Sequence, residues 1–410
     1  MSRILFTGGQ VFDGSGSDPA PADVVVEAGR IVAVGTGLDG DEVVDCTGTT
    51  VLPGFFDCHV HVIVSGYDML RQVQRPFSYQ FYEAARNLRL TLEAGITSVR
   101  DAAGADLGIK RAVEDGLIAG PRMQISVGLI SQTGGHGDDW MPSGQCVGPW
   151  VPHPGLPESL ADGPEEIRRV TRTLLRAGAD VLKVATTGGV LSPGDDPRHS
   201  QYTPEELRVL VTEAAMRGRA VMAHAQGAEG IKNAVRAGVR SIEHGIYLDD
   251  EAIELMLEHR TWLVPTLVAP LAVLRAARAG AALPEEMVRK AEQVAAVHAD
   301  SVHRAAQAGV RIAMGTDSGV GPHGQNLEEL ALMEKCGMTP GEVLAATTSS
   351  AAALLGAGDE LGTIAPGYRA DLVLVNGDAF DLATLPGRVR EVWLDGRRVA
   401  RPAGELSTVE

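Results

Sequence analysis

The chain has 410 residues, enough for a barrel-sized domain with an accessory module, and its 4% aromatic content is low, as in α/β proteins whose helices pack closely. Its formal net charge is −17 with no lysine or arginine cluster interleaved with aromatics, which argues against nucleic acid and anionic membranes as partners. Cys46, Cys58, Cys146 and Cys336 form no Cys-x-x-Cys pair, and no signal-peptide pattern or apolar run of membrane-spanning length is present, so a reduced, cytoplasmic protein is expected.

In chain order, the first elements are short strands. "RILFTGGQVFDG", "ADVVVEAGRIVAVG" and "EVVDCTGTTVLPG" are Val/Ile-rich runs broken by Gly and Asp. The rhythm then changes. Apolar runs at "GFFDCHVHV", "GITSVRDA", "RMQISVGLI", "ADVLKVAT", "AVMAHAQ", "RSIEHGI", "WLVPTLV" and "RIAMGTDS" read as eight strands. Between them "SYQFYEAARNLRLTLEAG", "TPEELRVLVTEAAMRG", "GAEGIKNAVRAG" and "DDEAIELMLEHR" read as helices, several with Thr-Pro or Asp starts and Gly stops. A long Gly/Pro-rich connection at 131–164 carries Trp140 and Trp150 and is expected to form a lid or wall. The far end returns to strand texture in "ADLVLVNGD" and "VREVWLDGRRVA", with Asn-Gly and Asp-Gly turns.

The expected architecture is therefore α/β. A (β/α)8 TIM barrel spans 55–357 and is inserted into a small β-sandwich built from both termini, 1–54 and 358–410. A doubly wound sheet is the alternative, but no convincing Gly-x-Gly-x-x-Gly follows the first strand.

His59 and His61 stand one residue apart in an apolar run, so a strand puts both on one face. Packing gives no reason for two imidazoles on one side, whereas a metal ion does. Lys183 lies inside the fourth run, and His224, His244 and Asp317 end the fifth, sixth and eighth. In a parallel barrel the C-terminal strand ends open on one face, where catalytic groups gather. Singly, each residue has a plain explanation: hydrogen-bonded core histidines, a snorkelling lysine, an N-capping aspartate. Jointly, they point to one metal site.

From "RILFTGGQVFDG" through "VLPGFFDCHVHV" to "LGTIAPGYRADLVLV", the chain resembles the amidohydrolase superfamily. Within it, "GITSVRDAAG", "LISQTGGHGD", "VLKVATTGG" and "SIEHG" are similar to the Xaa-Pro or Xaa-Arg dipeptidase group, with ochratoxin-degrading amidohydrolases in the same neighbourhood. That resemblance implies two divalent metal ions, zinc by default. His59, His61 and Asp317 would hold the more buried ion and His224 and His244 the more exposed one, with a carbamate on Lys183 as the bridge. It implies a bridging hydroxide that attacks the amide of a dipeptide or N-acyl amino acid and releases the C-terminal amino acid. Asp317 would serve as base and then acid.

His136, in "TGGHGD", is the expected donor to the oxyanion or a contact to the substrate. His323, Gln226 and Tyr247 are further expected substrate contacts. A homo-oligomer is also implied. Competing readings keep the site and change the bond to a lactone, a carbamate or another xenobiotic amide, or make the chain a catalytically silent scaffold. His298 and His303 read as surface or packing residues, and Arg100 with Asp101 as an internal ion pair or hydrogen-bond network.

Overall fold

The computed structural model describes residues 2–66, 74–141, 143–192 and 194–399. Residues 400–410 of the expected terminal domain lie outside the described residues. The N-terminal runs divide between two sheets. One has the order β5-β4-β1-β6, from β1 (Ile4–Thr7), β4 (Asp23–Glu27), β5 (Arg30–Gly35) and β6 (Glu42–Asp45). The other has the order β18-β17-β16-β7-β2-β3 and draws on both ends of the chain. Its strands are β2 (Gln10–Val11), β3 (Ala20–Pro21), β7 (Thr49–Pro53), β16 (Leu372–Asn376), β17 (Val389–Leu394) and β18 (Arg397–Arg398). β16 runs antiparallel to β7 with Leu372 opposite Pro53, which ties the C-terminal segment to the strand just before His59. Phe6, Val24, Val26, Ile31, Leu374 and Trp393 belong to one apolar cluster shared by the two sheets. This is the burial that neither end could achieve alone.

The middle of the chain forms parallel strands with helices between them. β8 (Phe55–Val60), β9 (Ile96–Asp101) and β10 (Arg122–Ile125) make one sheet. β11 (Leu129–Ile130), β12 (Val181–Ala185), β13 (Ala220–Ala225), β14 (Ser241–His244) and β15 (Trp262–Val264) make another, in chain order. Every residue of β8, β9, β12 and β14 is buried, as expected of parallel strands covered on both faces. The Thr-Pro signals are full capping boxes, Thr203 with Glu206 and Thr339 with Glu342, each contributing about 1 kcal/mol to its helix.

Two expected strands differ. "RMQISVGLI" splits into β10 and β11 because Val127 takes a left-handed φ of 66°, which interrupts the extended chain. "RIAMGTDS" forms isolated parallel bridges, Ile312 with Leu263 of β15 and Ser318 with Val60 of β8, in place of a continuous strand. A Cβ on Gly315 would stand 2.4 Å from Val264 Cγ1 and 3.0 Å from His59 Cβ, so the backbone passes too close to both neighbours for a side chain. Among the described residues no helix is long and apolar enough to cross a membrane.

One buried acid steadies the approach to the site. Glu329 is fully buried, and its carboxylate accepts from Leu267 N at 2.7 Å and Val268 N at 2.8 Å, the start of helix Val268–Arg278. Burial pushes its carboxyl from 4.5 up to about 8. The folded chain therefore holds a proton there that the unfolded chain has lost, and this group's contribution to stability falls as pH rises from about 4.5 to 8. Glu329→Gln should flatten that fall by on the order of 1 kcal/mol per pH unit. Urea denaturation of both proteins at pH 7 and pH 8 checks it, and an unchanged difference between them would refute it.

Candidate active site

The register of the parallel strands brings distant residues side by side. Lys183 lies next to Met222 across β12 and β13, His224 pairs with Glu243 across β13 and β14, and Ala225 pairs with His244. One cavity is lined by His59, His61, Lys183, His224, His244 and Asp317 together. His136, Gln226 and His298 also line it, and much of the rest is apolar, including Leu129, Trp150, Val190, Ile246 and Val273. The expected wall is thus partly realised: Trp150 faces the cavity, while Trp140 is 55% exposed.

Each imidazole has one nitrogen fixed by the protein. His59 Nδ1 donates to Glu243 Oε2 at 2.8 Å, and Glu243 Oε1 accepts from Arg100 at 2.9 Å and Ser241 Oγ at 2.5 Å. His61 Nδ1 donates to the Ala103 carbonyl at 2.9 Å, and His224 Nε2 donates to the Gly188 carbonyl at 3.0 Å. His244 Nδ1 lies 2.7 Å from Thr266 Oγ1. Such outer contacts set the tautomer and leave the opposite nitrogen as a lone-pair donor. Asp317 Oδ1 lies 3.2 Å from His61 Nε2 and 3.5 Å from His59 Nε2, and Lys183 Nζ is 3.4 Å from His59 Nε2. Ligand atoms of His59, His244 and Asp317 all fall within 4.8 Å of one another, a set able to hold a metal ion.

The electrostatics suit that use at three of the four histidines. Burial holds His59, His224 and His244 well below their ordinary range, so they are neutral, as ligands must be, whereas the Asp317 carboxylate outweighs burial at His61 and holds it above its ordinary range. Burial also pulls the Lys183 ammonium down to about 8, leaving a neutral fraction near physiological pH. For Asp317, burial alone would raise the carboxyl, but His59, His61 and Lys183 together hold it well below the usual range. His244 and Asp317 both sit at left-handed φ, 72° and 60°, conformations that cost about 1–3 kcal/mol and cluster at functional sites. The Asp317 turn is secured by Asp317 N donating to His59 O at 2.7 Å, and by Thr316 Oγ1 donating to Asp57 Oδ2 at 2.6 Å.

Two expected substrate contacts lie outside the cavity lining. His323 Nε2 donates to the Val64 carbonyl at 2.9 Å, and Tyr247 packs half-buried against an apolar cluster of Val190, Ile246 and Val273. Gln226 does line the cavity, and its Oε1 is buried with no partner among the described residues. His298 is neither a surface residue nor simple packing: it lines the cavity and its Nε2 donates to the His244 carbonyl at 2.9 Å. Arg100 pairs with Glu243, not Asp101, whose carboxylate accepts from Val62, Ala103 and Ala105 N–H groups.

Glu243 and Arg100 are 0% and 2% exposed. Glu243→Gln would strand a buried guanidinium and loosen His59. Expected are a loss of about 3–5 kcal/mol in urea denaturation of the metal-free chain and a 10- to 100-fold weaker affinity for an added divalent cation, on the order of other outer-contact losses. A variant as stable as the parent would refute the pairing.

The family model for the amidohydrolase family matches residues 50–399. Ochratoxinase of Aspergillus niger is 36% identical over 371 residues, covering 86% of this chain and 76% of that protein. A Xaa-Pro dipeptidase with methionine in its active site is 33% identical with a TM-score of 0.88, over 97% of this chain and 100% of that one. A prolidase complexed with N-methylphosphonate-L-proline is 35% identical with a TM-score of 0.89, over 98% and 100% of the two chains. With its strand ends converging on one cavity of histidines, lysine and aspartate, this chain belongs to the amidohydrolase family and is a hydrolase acting on carbon–nitrogen bonds.

Proposed function

We propose that the chain cleaves the amide bond of dipeptides or N-acyl amino acids and releases the C-terminal amino acid. The observation that carries this reading is the convergence of His59, His61, Lys183, His224, His244 and Asp317 on one cavity. In this reading His59, His61, Asp317, His224 and His244 would hold two divalent ions, zinc by default. Lys183 would be a further ligand as a carbamate, since an ammonium is a poor ligand. The donor set fits: four imidazoles with one nitrogen anchored outward, one carboxylate, and a buried lysine at 3.4 Å from His59 Nε2. When bound, such a pair acidifies water and polarises a carbonyl.

The chain's own groups do the rest. Asp317 takes the proton of the attacking water and gives it to the leaving nitrogen. His136 and Gln226 face the substrate, and the apolar wall around Val190, Ile246 and Val273 excludes water and receives an apolar side chain. The scaffold in this reading is a (β/α)8 barrel over 55–357 with a β-sandwich from 1–54 and 358–410. The bridges from the 312–318 segment to β15 and β8 support it, because they lie where the ring would close. A cytoplasmic homo-oligomer completes the proposal.

Relatives support the substrate class. Two are named for Xaa-Pro dipeptides or prolidase activity, and ochratoxinase is named for ochratoxin. The apolar wall also suits a non-peptide amide, a carbamate or a lactone, which is the second reading. A panel of dipeptides and N-acyl amino acids, assayed with zinc-loaded, bicarbonate-treated protein, tests the choice. Release of the C-terminal amino acid is expected. Intact peptides in the presence of bound metal would overturn the dipeptidase reading in favour of the second.

A further inference from the structure

The two sides of the cavity differ in what they offer a substrate. On one side Val190, Ile246, Val273 and Val294 line it as members of one apolar cluster. On the other, the loop after β11 presents Asp138, Asp139, Met141 and Trp150. Lys183 is the only lysine or arginine among the described residues that line the cavity, and the carbamate reading turns it into an anion. The Asp138 carboxylate is already engaged, with Oδ2 accepting from Gly134 N at 2.7 Å and Oδ1 from Trp140 N at 3.1 Å. That of Asp139 has no hydrogen bond or ion pair among the described residues.

Asp139 is held in place by its own hairpin. Its carbonyl accepts from Val147 N at 2.9 Å, Met141 N donates to Gln145 O at 2.8 Å, and Trp140 bridges Cys146 in antiparallel fashion. A Cβ on Gly148 would stand 2.1 Å from Asp139 Oδ2, so the carboxylate rests on the Gly148 backbone, where only glycine leaves room. Burial, and Asp138 beside it, push the carboxyl from 3.8 up to about 6, which still leaves it ionised near neutral pH. A half-buried anion without a donor lacks the compensation that nearly all such groups have. A cation brought by the substrate supplies it, in a bond charged on both sides.

We propose that Asp139 is a specificity-determining residue that seats the ammonium of the substrate, so that the site prefers dipeptides with a free α-amino group to N-acyl amino acids. This rests on the amide-hydrolase reading above and narrows it. A dipeptide meets both sides of the cavity at once, with its ammonium on the loop and an apolar side chain on the wall opposite. An N-acyl amino acid fills the apolar wall and leaves the carboxylate unpaired. That loss falls on substrate and transition state alike, so it appears in KM more than in kcat.

Three substrates of similar size separate the sources of the cation: Ala-Leu, lactoyl-leucine with a hydroxyl in place of the ammonium, and lactoyl-lysine with its cation on the side chain alone. The wild type, assayed with zinc and bicarbonate, should prefer Ala-Leu to lactoyl-leucine by about 10- to 100-fold in kcat/KM, mainly through KM. Asp139→Asn keeps the shape without the charge and should bring the two within about threefold of each other. Equal rates on Ala-Leu and lactoyl-leucine in the wild type, or an equal loss on all three in the variant, would overturn the proposal. A preference for lactoyl-lysine in place of Ala-Leu, lost in Asp139→Asn, would also overturn it, since the cation is then that of a basic side chain. If none of the three is cleaved, the dipeptidase reading fails, and calorimetric binding of the same intact compounds to both proteins decides the contact. An Asp139-dependent preference for Ala-Leu in binding sustains it, and the lack of one overturns it.

Discussion

Lys183→Met should lose metal and activity together, with kcat/KM falling by about three orders of magnitude or more, since in the proposed mechanism the ions would supply both nucleophile and carbonyl polarisation. Lys183 is 2% exposed, in the middle of β12, with Nζ 3.4 Å from His59 Nε2. Without a carbamate there, two dications would face four neutral imidazoles and a single anion, Asp317. A buried site with that charge imbalance does not retain both ions, because desolvating a dication is recovered only by anionic or well-oriented ligands. Methionine has nearly the volume of the lysine stem and no charge to bury, so the strand keeps its packing. Metal content by plasma emission, thermal unfolding and turnover on the same preparation separate the effects. Two equivalents of zinc with turnover within tenfold of the parent would remove Lys183 from the site.

The part of this site that could be read in advance follows simple periodicities. His59 and His61 share a face because a strand repeats every two residues, and Lys183, His224 and His244 stand in runs whose apolar content marks buried parallel strands. Glu243 was hidden for the same reason. It directly precedes His244 in "SIEHG", and its partners, His59 and Arg100, are 184 and 143 residues away, a distance no local pattern spans. His298 was hidden on a helix, Glu285–Ala308, whose docking onto the His244 carbonyl is a tertiary fact.

The eighth run failed as a strand at Gly315 and Asp317, where close approach and a left-handed φ replace regular pairing. A local break at the site's own aspartate is where sequence-level rules are expected to fail, since function there outweighs regularity. His323 and Tyr247 lie outside the cavity lining. Closeness in sequence to Asp317 and His244 did not set the direction in which a loop side chain points, and His323 turned to the Val64 carbonyl.

Asp317→Asn is expected to lower kcat by about 10³- to 10⁴-fold, because it removes both the proposed proton carrier and one of the two anions of the proposed ligand set while keeping the shape, and metal content measured on the same preparation separates the two losses. Asparagine is the informative choice. The position has φ 60°, which asparagine and aspartate tolerate better than most residues, so the turn between His59 and Ser318 is not strained further. The amide keeps the carboxylate's shape beside His61 Nε2, which is 3.2 Å from Asp317 Oδ1. What disappears is the negative charge and the ability to accept and return a proton.

The metal-free chain gives an independent check. The Asp317 carboxyl is depressed by His59, His61 and Lys183 despite its burial, so the unfolded state binds the proton more tightly than the folded state. Its contribution to stability is therefore fully present above the unfolded value of 3.8 and is lost as pH falls below it. At pH 7 the metal-free Asp317→Asn protein should be less stable than the parent, and the gap should narrow toward pH 3. Loss of turnover with that pH-dependent gap ties the charge of Asp317 to both folding and chemistry. A variant that keeps turnover within tenfold would instead transfer the proton to another group; among the described residues His136 and His298 are the imidazoles on the cavity outside the proposed ligand set.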